Sequence, residues 1–246
     1  MDKNLKIQVI EIDESKFNKA ELDPFVFPSL TILNGTVASG KSTVCSNFIR
    51  ITEPVFEGNV ILISPTIKND PILLKLIEEE VILEYYENYS NDLLQNLMKI
   101  IQEDPDEKSK YLIVFDDILS QLPKTNTRDA RWFDSFISTY RHGGNMSGAR
   151  EGSVSLLFST QYYNELTPTL KLNCSYLCLL GKYSLKRLNY FGELFGVFTS
   201  ESGSIEDFVS VYNQAKEGNP YNFLMLDLRK IRALQNFEKI LYERKN

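Results

Sequence analysis

Apolar and polar positions fall along this chain in two kinds of block. Short, nearly continuous apolar runs, "VILIS", "YLIVF", "SLLF" and "YLCLL", are separated by longer stretches where apolar residues recur every three or four positions. Continuous runs of that length suit strands buried on both faces, and the intervening pattern suits amphipathic helices. The candidate strands are "LKIQVIEI" near the amino end, "LTILN", "NVILISP", "YLIVFDD", "SVSLLFSTQ", "SYLCLLGK" and "NFLMLDL". Candidate helices cover 41–51, 70–80, 91–103, 129–140, 184–196 and 204–217. In "SNDLLQNLMKIIQ", Ser90 or Asn91 is placed to cap, and Leu93, Leu94, Leu97, Ile100 and Ile101 share one face. The final stretch, "RKIRALQNFEKILYERKN", sets Ile231, Leu234, Phe237 and Leu241 at helical spacing and predicts a carboxyl-terminal helix.

Strands alternating with helices predict an α/β fold: a mainly parallel central sheet with helices on both faces. A single domain is expected over 1–246, with a strand extension in 1–28, a core in 29–228 and the terminal helix in 229–246. "EDPDEKSK", "QLPKTNTRD" and "RHGGNMSGAREGS" predict loops.

Composition narrows the function classes. With 43% apolar and 24% charged residues, the 246-residue chain can bury a substantial core. A net charge of −6 argues against a generally basic nucleic-acid binder, though not against a local basic loop. No apolar stretch is long enough to cross a bilayer, and "MDKNLKIQVIEIDE" lacks the features of a secretory signal, so a cytosolic location is expected, with no membrane partner. Cys45, Cys174 and Cys178 form no CxxC pair, and His142 is the only histidine. Zinc and His-triad chemistries are thereby largely removed, leaving Lys, Asp, Gln and Arg to carry a reaction.

Such chemistry is concentrated in "NGTVASGKSTV". The stretch Gly35, Thr36, Val37, Ala38, Ser39, Gly40, Lys41, Ser42, Thr43 matches G-x-x-x-x-G-K-[ST] in full, between a predicted strand and a predicted helix. The glycines allow backbone N–H groups to turn onto phosphate oxygens, and the helix presents the positive end of its dipole to the same anion. A lysine in a first helical turn opposes that dipole, so Lys41 calls for an anion. Lys41 is expected to reach the β and γ phosphates of ATP, and Ser42 to ligate Mg²⁺. The expected metal carboxylate is Asp116, closing "YLIVFDD" on an adjacent buried strand, with Asp117 placed to polarise an attacking water. Gln161, ending "LLFSTQ", can orient that water or sense the γ-phosphate.

Taken in order, "GTVASGKST", "ILISPT", "LIVFDDIL", "YRHGGNMS", "LLFSTQYY", "LTPTLKLNCS" and "YNFLMLDL" resemble the genome-packaging ATPases of poxviruses, other large DNA viruses and virophages, within the FtsK–HerA superfamily. The resemblance spans roughly residues 29 to 228. It implies a RecA-like (ASCE) P-loop core, a homo-oligomeric ring of five or six subunits, and ATP-driven movement of double-stranded DNA into a preformed capsid. It also implies residence in the host cytoplasm or virion, and a capsid vertex protein as a further partner. Lys41, Ser42 and Asp116 are then the nucleotide and Mg²⁺ ligands, Asp117 the second acid and Gln161 the polar sensor, with an arginine supplied by a neighbouring subunit. Arg141 in "YRHGG" matches the viral Arg-His pair, whereas Arg150 lies at the distance before Gln161 found in bacterial translocases; Arg141 is favoured. "GKYSLKR" at 181–187 and "RHGGNMSGAR" are candidate DNA-facing loops. The alternatives are a small-molecule P-loop kinase and a nucleotide-binding scaffold without turnover. A GTPase or ABC-type ATPase is disfavoured by the absence of NKxD and LSGGQ motifs.

Overall fold

The computed structural model describes residues 20–123, 126–142 and 152–244. The expected strand "LKIQVIEI" and Arg150 lie outside them. The strands are β1 (Ala20–Leu22), β2 (Phe25–Phe27), β3 (Leu30–Gly35), β4 (Val60–Ile63), β5 (Glu84–Tyr86), β6 (Tyr111–Asp116), β7 (Val154–Thr160), β8 (Tyr176–Leu180), β9 (Leu224–Asp227), β10 (Arg232–Gln235) and β11 (Lys239–Glu243). The helices are α1 (Lys41–Ile51), α2 (Glu53–Phe56), α3 (Pro71–Glu78), α4 (Asn91–Glu103), α5 (Arg128–Thr139), α6 (Pro168–Leu172), α7 (Leu185–Phe195) and α8 (Ile205–Ala215).

Among the described residues, nine strands form one mixed sheet in the order β11-β10-β9-β8-β3-β7-β6-β4-β5. From β8 through β5 the neighbours are parallel, while β9, β10 and β11 are added antiparallel. β1 and β2 make a separate antiparallel hairpin.

The continuous apolar runs become the central strands because both faces are covered. Along β4, Val60 and Leu62 pack into one cluster and Ile61 and Ile63 into the other; β6 splits the same way, with Leu112 and Val114 opposite Ile113 and Phe115. Side chains two apart share a face, so a strand between two helical layers needs apolar residues at every position. One layer holds α1, α3 and the β1–β2 hairpin, with Phe48, Leu73 and Phe25 in its core. The other holds α4, α5, α7 and α8, with Leu97, Phe136, Phe191 and Phe208. Ser90 caps α4 as expected, accepting from Leu93 N, and hydroxyls close two further helix starts, Thr127 accepting from Ala130 N and Ser204 from Asp207 N. No helix among the described residues is long and apolar enough to cross a membrane.

The expected helix over 229–246 is not formed. Residues 232–243 make the β10–β11 hairpin, with Asn236 at φ 57° in its turn. Pairing β10 against β9 satisfies the sheet edge that a helix would have left open. The helical spacing was coincidental: Leu234 and Phe237 join one core cluster, while Leu241 packs against the other.

Candidate nucleotide site

β3 delivers the chain to Gly35 at the carboxyl edge of the sheet, the side on which open α/β sheets place their ligands. The loop that follows carries Ala38 and Gly40 in left-handed conformations, at φ 58° and 86°, and leads directly into α1. No side chain caps that helix and no acidic residue lies in its first turn. Its first amides therefore lack an intrahelical acceptor, and the positive end of its dipole is left open toward the loop beside the Lys41 ammonium. Within the loop, Ser39 Oγ is buried with no hydrogen-bond partner among the described residues. This cradle has the donors and the positive potential that a phosphate chain needs.

A second glycine, which no motif marks, shapes the cradle from outside. Gly181 follows β8 at φ 81°, and a Cβ there would lie 2.7 Å from Ser39 Cβ and 2.9 Å from Thr36 Oγ1. Any side chain would push the loop out of place.

The acidic residues meet the loop on the same edge. Asp116 ends β6, in register with Ser159 of β7, which in turn runs beside β3. The strand carrying Asp116 was expected next to the strand that enters the loop. Instead β7 intervenes, so the two lie two strand spacings apart, about 10 Å. The cradle and Asp116 thus share one sheet edge, with the end of β7 between them.

Asp116 is buried; its Oδ2 accepts from Ser64 Oγ at 2.9 Å and from Thr66 Oγ1 at 3.5 Å. Burial pushes the Asp116 carboxyl above its ordinary range. The hydroxyls of Ser159 and Ser64 oppose that rise, and the nearby Asp117 and Asp70 charges add to it. A divalent cation would relieve this excess of buried negative charge.

Ser42 Oγ donates to Asp70 Oδ2 at 2.5 Å, while Asp70 Oδ1 caps α3 by accepting from Ile72 N and Leu73 N. Asp70 thus ties α1 to α3 beside the cradle, a link that sequence spacing did not reveal. Among the described residues no group of three or more His, Cys, Asp or Glu side chains could hold a metal alone. Mg²⁺ takes one or two protein oxygens and completes its shell with phosphate and water. Ser42 and Asp116 are suitable donors.

Asp117 turns sharply, at φ 49°, and its N–H donates to Ser159 O at 3.0 Å. Gln161 Nε2 lies 3.5 Å from Asp117 Oδ2, so these two expected partners are brought together. Behind them is a polar network that the motifs do not announce. Arg187 Nη2 donates to Gln161 O at 2.9 Å and reaches Asn34 Oδ1 at 3.4 Å. The Asn34 amide donates to Thr160 O at 3.2 Å, and Tyr183 Oη donates to Asn34 O at 2.7 Å. Arg187 belongs to "GKYSLKR", a candidate DNA loop. Its guanidinium is instead directed to the end of β7, while Lys182 and Lys186 stay exposed.

Arg141 does not join the others. It sits in the 3₁₀ turn Tyr140–His142, its Nε donating to Tyr140 Oη at 3.0 Å and its Nη2 reaching Asn173 O and Ser175 Oγ. Ser175 precedes β8 and pairs with the start of β3, so Arg141 lies at the amino edge, about 17 Å along the strands from the cradle.

No protein-family model and no curated protein matches the chain. Solved structures do match it in fold. The genome-packaging NTPase B204 of Sulfolobus turreted icosahedral virus 2, in complex with AMP, is similar at a TM-score of 0.58 and 15% identity, over 87% of this chain and 98% of its own. The pCW3 conjugation coupling protein TcpA with ATPγS is similar at 0.51 and 13% identity, over 88% of this chain and 61% of its own. The cytoplasmic domain of the Thermomonospora curvata type VII secretion ATPase EccC gives 0.50 and 11%, over 89% of this chain and 24% of its own. The chain therefore has the α/β fold of P-loop ATPases, with the mainly parallel sheet expected from its sequence, and the resemblance drawn from its motifs has a structural counterpart.

Proposed function

We propose that the chain is an Mg²⁺-dependent ATPase that drives double-stranded DNA into a viral capsid as a homo-oligomeric ring. The observation that carries this reading is the gathering of one phosphate cradle, two acids and a glutamine on a single sheet edge. Support for the packaging role comes from the near end-to-end likeness to B204, named as a genome-packaging NTPase and solved with AMP and with ATPγS.

In this reading the amides of the cradle and Lys41 hold the β and γ phosphates. Ser42 and Asp116 would hold Mg²⁺, which when bound neutralises charge on the phosphate oxygens. Asp117 accepts a proton from the attacking water, which Gln161 orients. Arg141, remote from its own cradle, is offered to the cradle of the next subunit, as a head-to-tail ring requires. Capsid vertex contact and a location in the host cytoplasm or virion follow from the same reading.

Phosphate release by the purified full chain, measured with and without duplex DNA alongside the mass of the assembled species, tests it. Mg²⁺-dependent release that rises several-fold with DNA, from a pentamer or hexamer, is expected. Phosphate transfer to a nucleoside with no response to DNA would sink the motor and favour a kinase. Binding of nucleotide without release would leave a scaffold.

The network behind Gln161 makes a separate prediction. Arg187→Ala removes a charged donor from the Gln161 carbonyl, an interaction worth about 1.5–3 kcal/mol. A fall of about tenfold in kcat is expected, with KM for ATP little changed, because the bonds of Arg187 go to the end of β7 and to Asn34 rather than to the loop 36–43. Steady-state kinetics check this; a rise in KM at constant kcat would show that Arg187 acts on binding instead.

A further inference from the structure

We infer that the ring of Tyr221 is the platform on which the base of the bound nucleotide stacks, an inference that rests on the nucleotide reading of the cradle. Tyr221 is 62% exposed, yet its ring lies against the loop: a Cβ added at Gly40 would be 3.3 Å from Tyr221 Cδ1. Scattered exposed aromatics need no explanation. Tyr221 differs in its position between two clefts. One, of about 310 Å³, runs along Thr36 to Ser39 and past Lys182; the other, of about 260 Å³, follows the exposed flank of α1 past Thr43 and Asn47. Tyr221 borders both. A nucleotide with its phosphates in the cradle would extend its sugar and base past Gly40 and Thr43, residues that line the same cleft as Tyr221.

The loop bearing Tyr221 is fixed before any ligand arrives. Asn219 Oδ1 accepts from Tyr221 N at 2.9 Å, and Asn222 Nδ2 donates to Glu217 O at 2.6 Å. Asn236 Nδ2 donates to Asn222 Oδ1 at 3.1 Å, and Lys216 Nζ donates to the carbonyls of both Pro220 and Asn222. These bonds hold the backbone on either side of Tyr221 and leave the ring as the outward-facing group. An aromatic held in this way stacks a base without the entropy of ordering a loop.

The test compares binding of Mg·ATP with binding of Mg·tripolyphosphate, which has the phosphates but no base, by titration calorimetry. Tyr221→Ala is expected to weaken ATP by about tenfold to a hundredfold, the range of one base-aromatic stack, and to leave tripolyphosphate unchanged. Tyr221→Phe, which keeps the ring face, restores most of the loss. Equal weakening of both ligands would overturn the proposal, since Tyr221 would then act by supporting Gly40. Unchanged ATP affinity in Tyr221→Ala overturns it outright. Failure of the parent protein to bind either ligand overturns the phosphate reading, and the platform with it. Tripolyphosphate binding as tight as ATP binding overturns the platform alone.

Discussion

Lys41→Ala is expected to lose about three orders of magnitude in phosphate release while melting no lower than the parent protein. The two halves of this result have one cause. Lys41 stands in the first turn of α1, where no acidic residue offsets the helix dipole and no capping side chain takes up the amides. Without ligand its charge opposes the dipole, so removing it stabilises the helix by about 0.3–1 kcal/mol. With a triphosphate in the cradle the sign reverses, because the same charge then meets the β and γ oxygens. Thermal melts with and without Mg·ATP separate the two states: ligand raises the parent's Tm by mass action and leaves that of Lys41→Ala nearly unmoved. A variant that melts several degrees lower with its activity intact would make Lys41 a structural residue and remove the ground for the cradle.

The parts of the fold legible in the sequence were those with one physical requirement repeated over many positions. β4, β6, β7 and β8 need apolar side chains on both faces, and α4 needs a stripe over thirteen residues. Both are patterns long enough to count. The β10–β11 hairpin gave no such count, unlike β9, which "NFLMLDL" marked. The hairpin's two strands have four and five residues, too few to separate a period of two from one of 3.6. The reversal between β9 and β10 also uses Ile231 at φ 50°, a β-branched residue in the left-handed region where glycine or asparagine would have been the signal. Its turn is shaped instead by the Asp227 carboxylate, which accepts from Arg229 N and Lys230 N.

The site divides along the same line. For residues carried by the loop motif or by strand ends, Lys41, Ser42, Asp116, Asp117 and Gln161, the place on the sheet edge was readable, because local spacing sets it. For those recruited across the fold it was not. Asp70 reaches Ser42 over 28 positions, and Arg187 reaches Asn34 over 153. Asn34 did leave a trace, as a polar residue ending the apolar run "LTIL", and it is fully buried. A buried carboxamide needs partners; a polar residue closing an apolar strand is thus a sequence signal for a network, although only the fold identifies its members as Tyr183 and Arg187.

The largest loss of stability is expected from Asp227→Ala, about 3–5 kcal/mol. Asp227 is wholly buried at the end of β9, and its two oxygens hold different things. Oδ1 accepts from Arg229 N at 3.0 Å and Lys230 N at 3.1 Å, shaping the turn into β10. Oδ2 accepts from Arg232 Nε at 3.1 Å and Nη2 at 2.8 Å. Arg232 Nη2 also donates to Pro24 O at 3.2 Å, so one carboxylate joins the edge ribbon to the β1–β2 hairpin. Truncation leaves the Arg232 guanidinium buried without its main counter-ion, and that desolvated charge, rather than the lost bonds, dominates the penalty. The double variant Asp227→Ala with Arg232→Met removes the charge as well, and urea unfolding should find it more stable than Asp227→Ala alone. Because Asp227 pairs with Tyr176 at the start of β8, it lies at the amino edge, away from the cradle. Nucleotide affinity of the folded fraction should therefore hold even as the unfolding midpoint falls, whereas an equal fall in both would mean that the two edges of the sheet are coupled.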